Sequence, residues 1–378
     1  MMKIAFDGIR FTSRPSGISN ITISIINALA HNFDDIDIYV FTNGALHPKV
    51  KELLIVNDRV NIINRPFGVF PGIKLLWSLF NLNRLVTALN PDWFVEPNFV
   101  LHPFFLSKNI KTILFIHDLV VKKYPETMEL VNKIHIRSLL GSSLKRANLV
   151  WCNSNHTKQD VTHYYNEYIK NKPLFVGAGV NPAFIQIATQ LKQENIESII
   201  EGFSITGKYM IFVGTLEPRK NLKFLLELFQ YLYKEYTLVI VGMAGWGKEA
   251  QSSFYLDKDS PAYEKIVFTQ YISNQELAAL YKGAEFYICT SIDEGLGLPL
   301  LEAMACGCPV IAAHNSAMIE VVEGAGATVK GWEVASWLNA VNRVKFEREN
   351  LVARGYERIK VYDWNNIIKR IVYILNSV

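Results

Sequence analysis

Residues 286–313 hold two short apolar segments with a glycine-rich loop and a helical segment between them. Phe286–Thr290 and Pro309–Ala313 have the length and composition of strands that are buried on both faces of a parallel sheet. Pro299 suits the first turn of the intervening helix, and Gly307 suits its end. Parallel neighbouring strands need a crossover helix, and such helices cover the faces of the sheet. The segment therefore predicts a layered α/β fold.

The loop before this helix combines the features of an anion site. Gly295 and Gly297 let a ligand approach the backbone closely, and a helix start adds N–H groups that have no partner within the helix. Glu294 and Glu302 put a carboxylate on either side of the loop. We interpret the loop as an active site, although a solvated loop charge and a charge that stabilises the helix would have the same spacing.

The rest of the chain repeats the alternation of strand and helix. Its 378 residues are 50% hydrophobic, so the chain can bury two cores. We expect one domain at 1–180, a second at 181–361 that begins with the polar, helix-prone segment Gln186–Glu201, and a terminal helical segment at 362–378. Other predicted strands are Lys3–Ile9, Ile36–Thr42, Val60–Arg65, Trp93–Glu96, Lys111–Asp118, Leu149–Asn153, Tyr209–Val213, Val239–Gly242 and Ile266–Tyr271.

A basic pair marks a second candidate anion site. Arg219 and Lys220 precede a predicted helix, Leu222–Tyr233, for which Asn221 is a suitable N-cap. Fixed cations at such a position can stabilise a departing diphosphate without a metal ion. The alternative is a solvated basic turn.

Two positions in the first half lie where ligands commonly bind. His117 follows the predicted strand Thr112–Ile116, and ligands of doubly wound sheets lie outside the carboxyl ends of the strands. Gly17 precedes the predicted helix Ile18–Ala30 and would permit a close approach to a phosphate. A loop histidine with satisfied hydrogen bonds and a flexible turn are the alternatives.

The run EGLGLPLLEAMACGCPVI resembles the E-x7-E signature of family-4-type retaining glycosyltransferases, which have two facing Rossmann-like domains, the GT-B fold. The resemblance extends over nearly the whole chain and implies that the terminal helix crosses back to the first domain. It also implies that the donor is held by a set of residues in which Glu302 binds the ribose, Arg219 and Lys220 bind the diphosphate, and Glu294 contacts the sugar. The rest of that set is Gly17, Gly295, Leu296, Gly297 and Leu298.

The first half of the chain matches the family at one further position and differs from it at another. Family members have a histidine at the position of His117, which implies that it contacts the transferred sugar from the opposite domain. They commonly carry two glycines in the loop where this chain has only Gly17, between Ser16 and Ser19. The implied catalytic residues are therefore His117, Arg219, Lys220 and Glu294.

The segments DGIRFTSRPSGI, HDLVVKKYPE and GTLEPRKNL are similar to bacterial mannosyltransferases of surface-polysaccharide assembly, such as O-antigen, lipopolysaccharide and capsule. This similarity implies a hexosyltransferase that uses GDP-mannose, with a UDP-hexose as the alternative donor. It also implies a saccharide acceptor in lipid-linked form at the cytoplasmic face of the inner membrane, with which the protein would associate peripherally. A non-catalytic nucleotide-sugar-binding or scaffold protein is the alternative of another class.

We predict no metal and no cofactor. Asp35 and Asp37, and likewise Asp257 and Asp259, have the spacing of a metal-binding pair, but both pairs are interpreted as solvated turns. No G-x-G-x-x-G follows the first strand and no Tyr-x-x-x-Lys pair is placed for hydride chemistry, so a nicotinamide enzyme is disfavoured. The four cysteines lie in or beside apolar runs and are interpreted as reduced core thiols in a cytoplasmic protein.

Charge is unevenly divided along the chain. Residues 1–180 carry 20 Lys and Arg against 13 Asp and Glu, whereas the whole chain has a net charge of only +4. No nucleic-acid motif accompanies the basic half, so we favour contact with anionic lipid or a phosphorylated acceptor over simple solvation. The predicted amphipathic helix Pro71–Leu89 carries aromatic and basic residues that would suit either the core or a membrane surface. No uncharged apolar run of transmembrane length and no export signal are found in the sequence.

Overall fold

The computed structural model describes residues 1–65, 81–101, 106, 109–243, 245 and 260–377. Contacts divide the chain into two compact units. The first consists of Met1–Lys122, Leu130–Asn181 and Asp363–Val378, and the second consists of Lys123–Glu129 and Pro182–Tyr362. The short segment 123–129, which the sequence analysis puts in the first domain, thus packs with the second unit.

The first unit is built on a parallel sheet with the strand order β3-β2-β1-β4-β5-β6-β7. The central strands consist of apolar runs, and every residue of β4 is buried, as expected for strands covered by helices on both faces. The order reverses between β1 and β4, which makes the carboxyl ends of these two strands a topological switch point. The strands are β1 Met2–Asp7, β2 Ile36–Thr42, β3 Val60–Asn64, β4 Trp93–Glu96, β5 Lys111–Ile116, β6 Leu149–Cys152 and β7 Leu174–Val176.

The last helix of the chain, Trp364–Ser377, packs in the first unit against the helix Gly17–Asn32, as predicted. It buries one apolar stripe, and the Asn32 side-chain amide donates to the Asn365 side-chain oxygen at 2.7 Å. The other helices of this unit are Pro48–Leu53, Asn83–Leu89, Val120–Lys123, Leu130–Arg146 and Asn155–Ile169. Ser154 caps the last of these by accepting a hydrogen bond from the Thr157 amide at 3.0 Å.

The second unit repeats the plan with a parallel sheet in the order β10-β9-β8-β11-β12-β13, and its switch point lies between β8 and β11. The strands are β8 Tyr209–Val213, β9 Thr237–Val241, β10 Ile266–Gln270, β11 Phe286–Cys289, β12 Val310–Ala313 and β13 Ala327–Val329. The helices are Pro182–Gln190, Gln193–Gly202, Leu222–Phe229, Asn274–Gly283, Leu298–Ala305, Ser316–Val322, Val334–Phe346 and Arg348–Ile359.

The helix between β11 and β12 begins and ends as its sequence predicts. Pro299 lies in its first turn, and Gly307 follows its end with φ +70°, a left-handed conformation that glycine adopts without strain. A second glycine is required where two strand ends meet, because a Cβ at Gly242 would overlap the carbonyl oxygen of Gly214. The backbones at the ends of β8 and β9 therefore lie against each other without intervening side chains.

Two further predicted helical segments can be compared with the structure. Gln186–Glu201 is part of a helical pair, Pro182–Gln190 and Gln193–Gly202, which packs against Asn274–Gly283. Of the predicted helix Pro71–Leu89, residues 71–80 lie outside the described residues, and Asn83–Leu89 is helical. Among the described helices, none combines the length and the apolar character needed to cross a membrane.

Candidate active site

The candidate site of the second unit lies at its switch point. Strand β8 leads to the turn Pro218–Lys220, and the neighbouring strand β11 leads to the loop that contains Glu294. The two segments are tied together by hydrogen bonds, since the Ile292 amide donates to the Arg219 carbonyl and the Thr290 hydroxyl donates to the Lys220 carbonyl, both at 2.9 Å. The sheet therefore brings together the basic pair and the first carboxylate, which are distant in the sequence.

Glu294 is bonded directly to both members of the basic pair. Arg219 Nη1 donates to its Oε2 at 2.8 Å, and Lys220 Nζ donates to its Oε1 at 2.5 Å. The Ser291 hydroxyl donates to Oε1 as well, at 2.7 Å. A carboxylate offers about four acceptor positions, so these contacts leave roughly one for a ligand.

The charges of this group determine the protonation of Glu294. Burial, the largest influence, raises the pKa of this carboxyl, but Arg219 and Lys220 together with their hydrogen bonds outweigh it and hold the pKa at about 2. Glu294 is therefore ionised at neutral pH. Because its pKa is depressed on folding, its contribution to stability is complete above the ordinary value of 4.5 and is lost as the pH falls toward 2.

Further ion pairs surround Glu294. Glu217 Oε1 accepts from Arg219 Nη2 at 2.5 Å, and Lys123, in the segment that packs with this unit, pairs with the buried Asp293. The described cluster thus contains equal numbers of cations and carboxylates. Lys220 Nζ makes only the contact with Glu294 among the described residues, so two of its three N–H groups can bind a ligand.

The loop after Glu294 differs in part from its sequence interpretation. Leu296 is a core residue, 3% exposed, so only its backbone can face a ligand, while Leu298 is half-buried at the helix start. Gly297 has φ +89° and precedes the helix. The backbone N–H groups of Leu296 and Gly297 donate to no described residue, so they are available to an anion. Gly295, also buried, completes the loop.

The prediction that the Asn221 side chain caps the following helix is wrong. Asn221 does precede the helix Leu222–Phe229, but its side chain makes no capping hydrogen bond. Its backbone is left-handed, with φ +52°, and the preceding residues form a 3-10 turn. This sharp turn directs Lys220 inward, where it is only 8% exposed.

Glu302 has a different environment from Glu294. It is half-buried on the helix Leu298–Ala305, and its carboxylate has no hydrogen-bond partner in the described part of the chain. Burial raises the pKa of this carboxyl to about 7. A carboxylate with all its acceptor positions open can receive two vicinal hydroxyl groups, as the predicted ribose contact requires.

His117 lies at the carboxyl end of β5 in the first unit and is 7% exposed. Its Nε2 is 2.8 Å from the carbonyl oxygen of Pro97, and its ring stacks on Phe115 with the centroids 4.5 Å apart. Burial, as the largest cause, and the charge of Arg10 lower its pKa to about 4, although the Pro97 hydrogen bond acts in the opposite direction. The imidazole is therefore neutral at pH 7.

Gly17 opens the helix Gly17–Asn32, directly after Ser16, whose hydroxyl caps the helix by accepting from the Ser19 amide at 3.4 Å. A Cβ at Gly17 would meet no atom within 4 Å. Packing within the chain therefore does not require a glycine here, and the helix start is open to a ligand.

Several residues of the two switch points were not singled out from the sequence. In the second unit they are Ser291 and Glu217, which bind Glu294 and Arg219. In the first unit they are Asp7 and Glu96, two buried carboxylates at the ends of neighbouring strands β1 and β4. The available signal was a charged residue that ends an apolar strand, as in WFVE.

Of the two aspartate pairs, the structure describes only the first. Asp35 and Asp37 are at the amino end of β2, whereas Asp257 and Asp259 lie outside the described residues. Over the described ranges, no three His, Cys, Asp or Glu side chains are grouped as metal ligands. All four cysteines are buried with free thiols.

Comparison with known families divides the chain much as the contacts do. A family model described as Glycosyltransferase Family 4 matches residues 15–184, and one described as Glycosyl transferases group 1 matches residues 194–356. The first match contains His117 and Gly17, and the second contains the basic pair and both glutamates.

Similar proteins include mannosyltransferases. O-antigen chain mannosyltransferase B from Escherichia coli is 27% identical over 279 residues, which cover 71% of this chain and 70% of that protein. O-antigen chain mannosyltransferase RfbU from Salmonella typhimurium is 27% identical over 252 residues, 67% of this chain and 65% of that protein. The chain spans about a quarter of the serotype-specific mannosyltransferase WbdA from Escherichia coli, with 27% of that protein covered at 24% identity.

Solved structures share the fold over the full length. Sucrose-phosphate synthase from Thermosynechococcus elongatus has a TM-score of 0.78 at 18% identity, with 100% of this chain and 99% of that chain covered. HepE from Anabaena, in complex with UDP and glucose, has a TM-score of 0.73 at 19% identity, with both chains fully covered. At these identities the similarity establishes the fold alone.

Proposed function

This chain belongs to the group 1 and family 4 glycosyltransferases with the GT-B fold, and on that premise we propose that it transfers a hexose from a nucleotide sugar to a saccharide acceptor. The observation that carries the proposal is the contact of Arg219 and Lys220 with Glu294 at the switch point of the second sheet. Groups with strongly shifted pKa values that are held by specific charge partners are concentrated at functional sites, which supports a catalytic role for this group.

In the proposed reaction the second unit stabilises the leaving group. As the bond from the anomeric carbon to the diphosphate oxygen breaks, negative charge accumulates on the diphosphate. The two remaining N–H groups of Lys220 and the backbone N–H groups of Leu296 and Gly297 would receive this charge, with Arg219 beside them. Because these donors are fixed before the reaction begins, little reorganisation is needed in the transition state.

The two glutamates have different proposed roles. Glu302, with its open acceptor positions, would bind the ribose hydroxyls of the donor. Glu294 would hold Lys220 and Arg219 in place and would use its last acceptor position for a hydroxyl of the transferred sugar. His117 would contact the same sugar, and Gly17 would allow the donor to approach the helix start of the first unit.

The proposed donor is GDP-mannose, and the proposed product retains the configuration of the anomeric carbon. The names of the O-antigen mannosyltransferases support mannose, and the resemblance of the E-x7-E segment supports retention. A UDP-hexose is the second candidate, because the similar HepE structure contains UDP and glucose. The proposed acceptor is a saccharide, as the names of the O-antigen mannosyltransferases suggest. Its proposed lipid-linked form at a membrane surface rests on the resemblance of the sequence segments and on the basic first half of the chain.

The experiment that tests the function is a hydrolysis and transfer screen. Purified protein is incubated with GDP-mannose, UDP-glucose, UDP-galactose and UDP-N-acetylglucosamine, and the released nucleotide is measured, because glycosyltransferases slowly transfer sugar to water. We expect nucleotide release from either the GDP-sugar or the UDP-sugars but not from both, and we expect GDP-mannose to be the active donor. Binding of a nucleotide sugar without release, with or without saccharide acceptors, would instead indicate a non-catalytic binding protein.

We also predict that transfer needs no divalent metal ion. The leaving diphosphate would accept hydrogen bonds from Lys220, with Arg219 beside it, and from the amides of the loop at the helix start, so a bridging cation is not required. After treatment with EDTA and gel filtration, the rate should stay within about twofold of the untreated rate. Loss of activity that magnesium or manganese restores would contradict this mechanism and would direct attention to the aspartate pairs.

Glu302 should make nucleotide binding depend on pH. Its pKa of about 7 in the free protein means that it must lose a proton to accept two ribose hydroxyls when the pH is lower. The affinity for GDP should therefore reach a plateau above pH 7 and fall below it, by at most about tenfold per pH unit. Calorimetry at several pH values measures this dependence, and Glu302→Gln corrects for titration of the nucleotide phosphates. An identical pH dependence in the variant would contradict the role.

A further inference from the structure

The end of β4 is followed by a turn that reaches His117. Glu96, which is 0% exposed, ends the strand, and its Oε1 accepts two hydrogen bonds from Asn98, one from the backbone amide and one from the side-chain amide, both at 3.0 Å. The Asn98 side-chain oxygen accepts in turn from Arg10 Nε. Pro97, between Glu96 and Asn98, directs its carbonyl at the histidine ring. The buried carboxylate of Glu96 thus fixes the turn through its hydrogen bonds with Asn98.

The backbone of this turn is not one that the chain would adopt without such ties. Phe99 has φ +67°, a left-handed conformation that aromatic residues rarely adopt. Its ring contacts His117 edge-on, with the centroids 5.3 Å apart. The hydrogen bonds of Glu96 and Asn98 offset the strain and hold Pro97 in one position.

The Pro97 contact determines which imidazole nitrogen carries the proton. A carbonyl oxygen only accepts hydrogen bonds, so Nε2, at 2.8 Å from it, must be the protonated nitrogen of the neutral ring. Nδ1 is then an acceptor. It makes no hydrogen bond to any residue that the structure describes, so it can accept one from a ligand.

We propose that Glu96 and Asn98 are positioning residues that hold His117 as a hydrogen-bond acceptor, and that Nδ1 therefore selects a sugar that presents a hydroxyl group rather than a carboxylate. The preference for a hydroxyl group over a carboxylate rests on the proposed transfer of a hexose. The tautomer of His117 does not depend on that function. A hydroxyl donates to Nδ1, but an ionised carboxylate at the same place would oppose the nitrogen lone pair. A uronic acid should consequently be a poor substrate compared with the corresponding neutral hexose.

The protonated nitrogen can be observed directly by 15N NMR of the imidazole groups. We expect His117 at pH 7 to show a pyrrole-type Nε2 and a pyridine-type Nδ1, in one dominant tautomer. A His117→Gln variant assigns the signals among the eight histidines. The exposed His163 serves as an internal reference, whose signals we expect to be averaged over both tautomers. A protonated Nδ1, or a mixture like that of His163, would overturn the proposal.

Two variants separate positioning from simple folding. Asn98→Ala removes the side-chain contacts to Glu96 and Arg10 from a half-buried loop residue, so the His117 tautomers should become mixed while the chain stays folded. Glu96→Gln keeps an acceptor oxygen for the Asn98 amide groups, so the wild-type signals should persist. An unchanged His117 spectrum in Asn98→Ala would show that Asn98 does not position the ring, and this result would overturn the positioning role.

The selectivity is tested with two matched pairs of donors, GDP-mannose with GDP-mannuronate and UDP-glucose with UDP-glucuronate. In the pair whose hexose is turned over, kcat/KM for the uronate should be lower by a factor on the order of 10². A uronate that reacts as well as its hexose would refute the selectivity. If no donor is turned over, the proposed function fails, but the NMR result still decides the positioning.

Discussion

A Lys220→Ala variant should transfer sugar more slowly than the wild-type protein by a factor on the order of 10² or more. The Lys220 ammonium donates one hydrogen bond to Glu294 and has two further N–H groups, which are the proposed donors to the departing diphosphate. The substitution removes all of them. The rate of nucleotide release from the active donor, at saturating concentration, measures the effect. Lys223→Ala is a matched control, because this lysine is exposed on the following helix.

The same substitution should also affect stability. Lys220 and Glu294 form a buried ion pair, and removal of one partner of such a pair typically costs about 3 kcal/mol or more. Arg219 remains bonded to Glu294, so we expect the lower end of this range, with a folded protein at 25 °C. Denaturant unfolding measures this cost, and the assay is run well below the denaturation midpoint. Transfer near the wild-type rate would contradict the proposed role in the leaving-group step.

Substitution of the two glutamates should give opposite results. Glu294→Gln should lower the transfer rate by a factor on the order of 10² and change GDP affinity little, because it weakens the hold on Arg219 and Lys220 and the sugar contact. Glu302→Gln should weaken GDP binding by about tenfold, because an amide offers one acceptor atom to the ribose instead of two. Both effects follow from the distinct contacts of the two carboxylates.

Calorimetry with GDP and transfer assays with the active donor distinguish the two variants. Glu227→Gln, at an exposed position of the helix Leu222–Phe229, is a control for loss of a negative charge in the same unit. If Glu294→Gln lost nucleotide affinity and Glu302→Gln lost only transfer, the assignment of the two residues would have to be exchanged.

The fold was largely predictable because parallel strands that are covered on both faces must be almost wholly apolar. Such runs are visible in the sequence, and Ile36–Thr42, Trp93–Glu96 and Tyr209–Val213 have the predicted ends. The ends of the helix after Glu294 were predictable for another reason, since Pro299 and Gly307 restrict the backbone locally. Local signals of both kinds need no knowledge of distant contacts.

The contacts of the candidate site were less predictable, because they depend on which strands become neighbours. Arg219 and Glu294 meet because β8 pairs with β11, and no local pattern specifies this pairing. The sequence placed each residue at a strand end but did not predict that they bind each other. It also missed Ser291, a buried serine that appears ordinary in the sequence, and it assigned a capping role to Asn221 that the left-handed backbone excludes.

The difference between the glutamates also arises only in three dimensions. Glu294 is buried and Glu302 is half-buried, yet the pKa of the first is about 2 and that of the second is about 7. The cause is the presence of two cations beside Glu294, whereas burial alone acts on Glu302. Spacing along the chain contains no information about this difference in protonation.

The packing of Trp364–Ser377 in the first unit has a consequence for biosynthesis. The ribosome completes this helix only after Pro182–Tyr362, the larger part of the second unit, has been made. Until then, the surface that later contacts Trp364, Ile368 and Ile371 is exposed on the nascent first unit. The usual order, in which the earlier domain finishes folding during synthesis, is therefore reversed here. The second unit can be completely synthesised while the first unit still lacks its last helix. A chaperone that binds apolar surface should therefore associate with the first unit of the nascent chain.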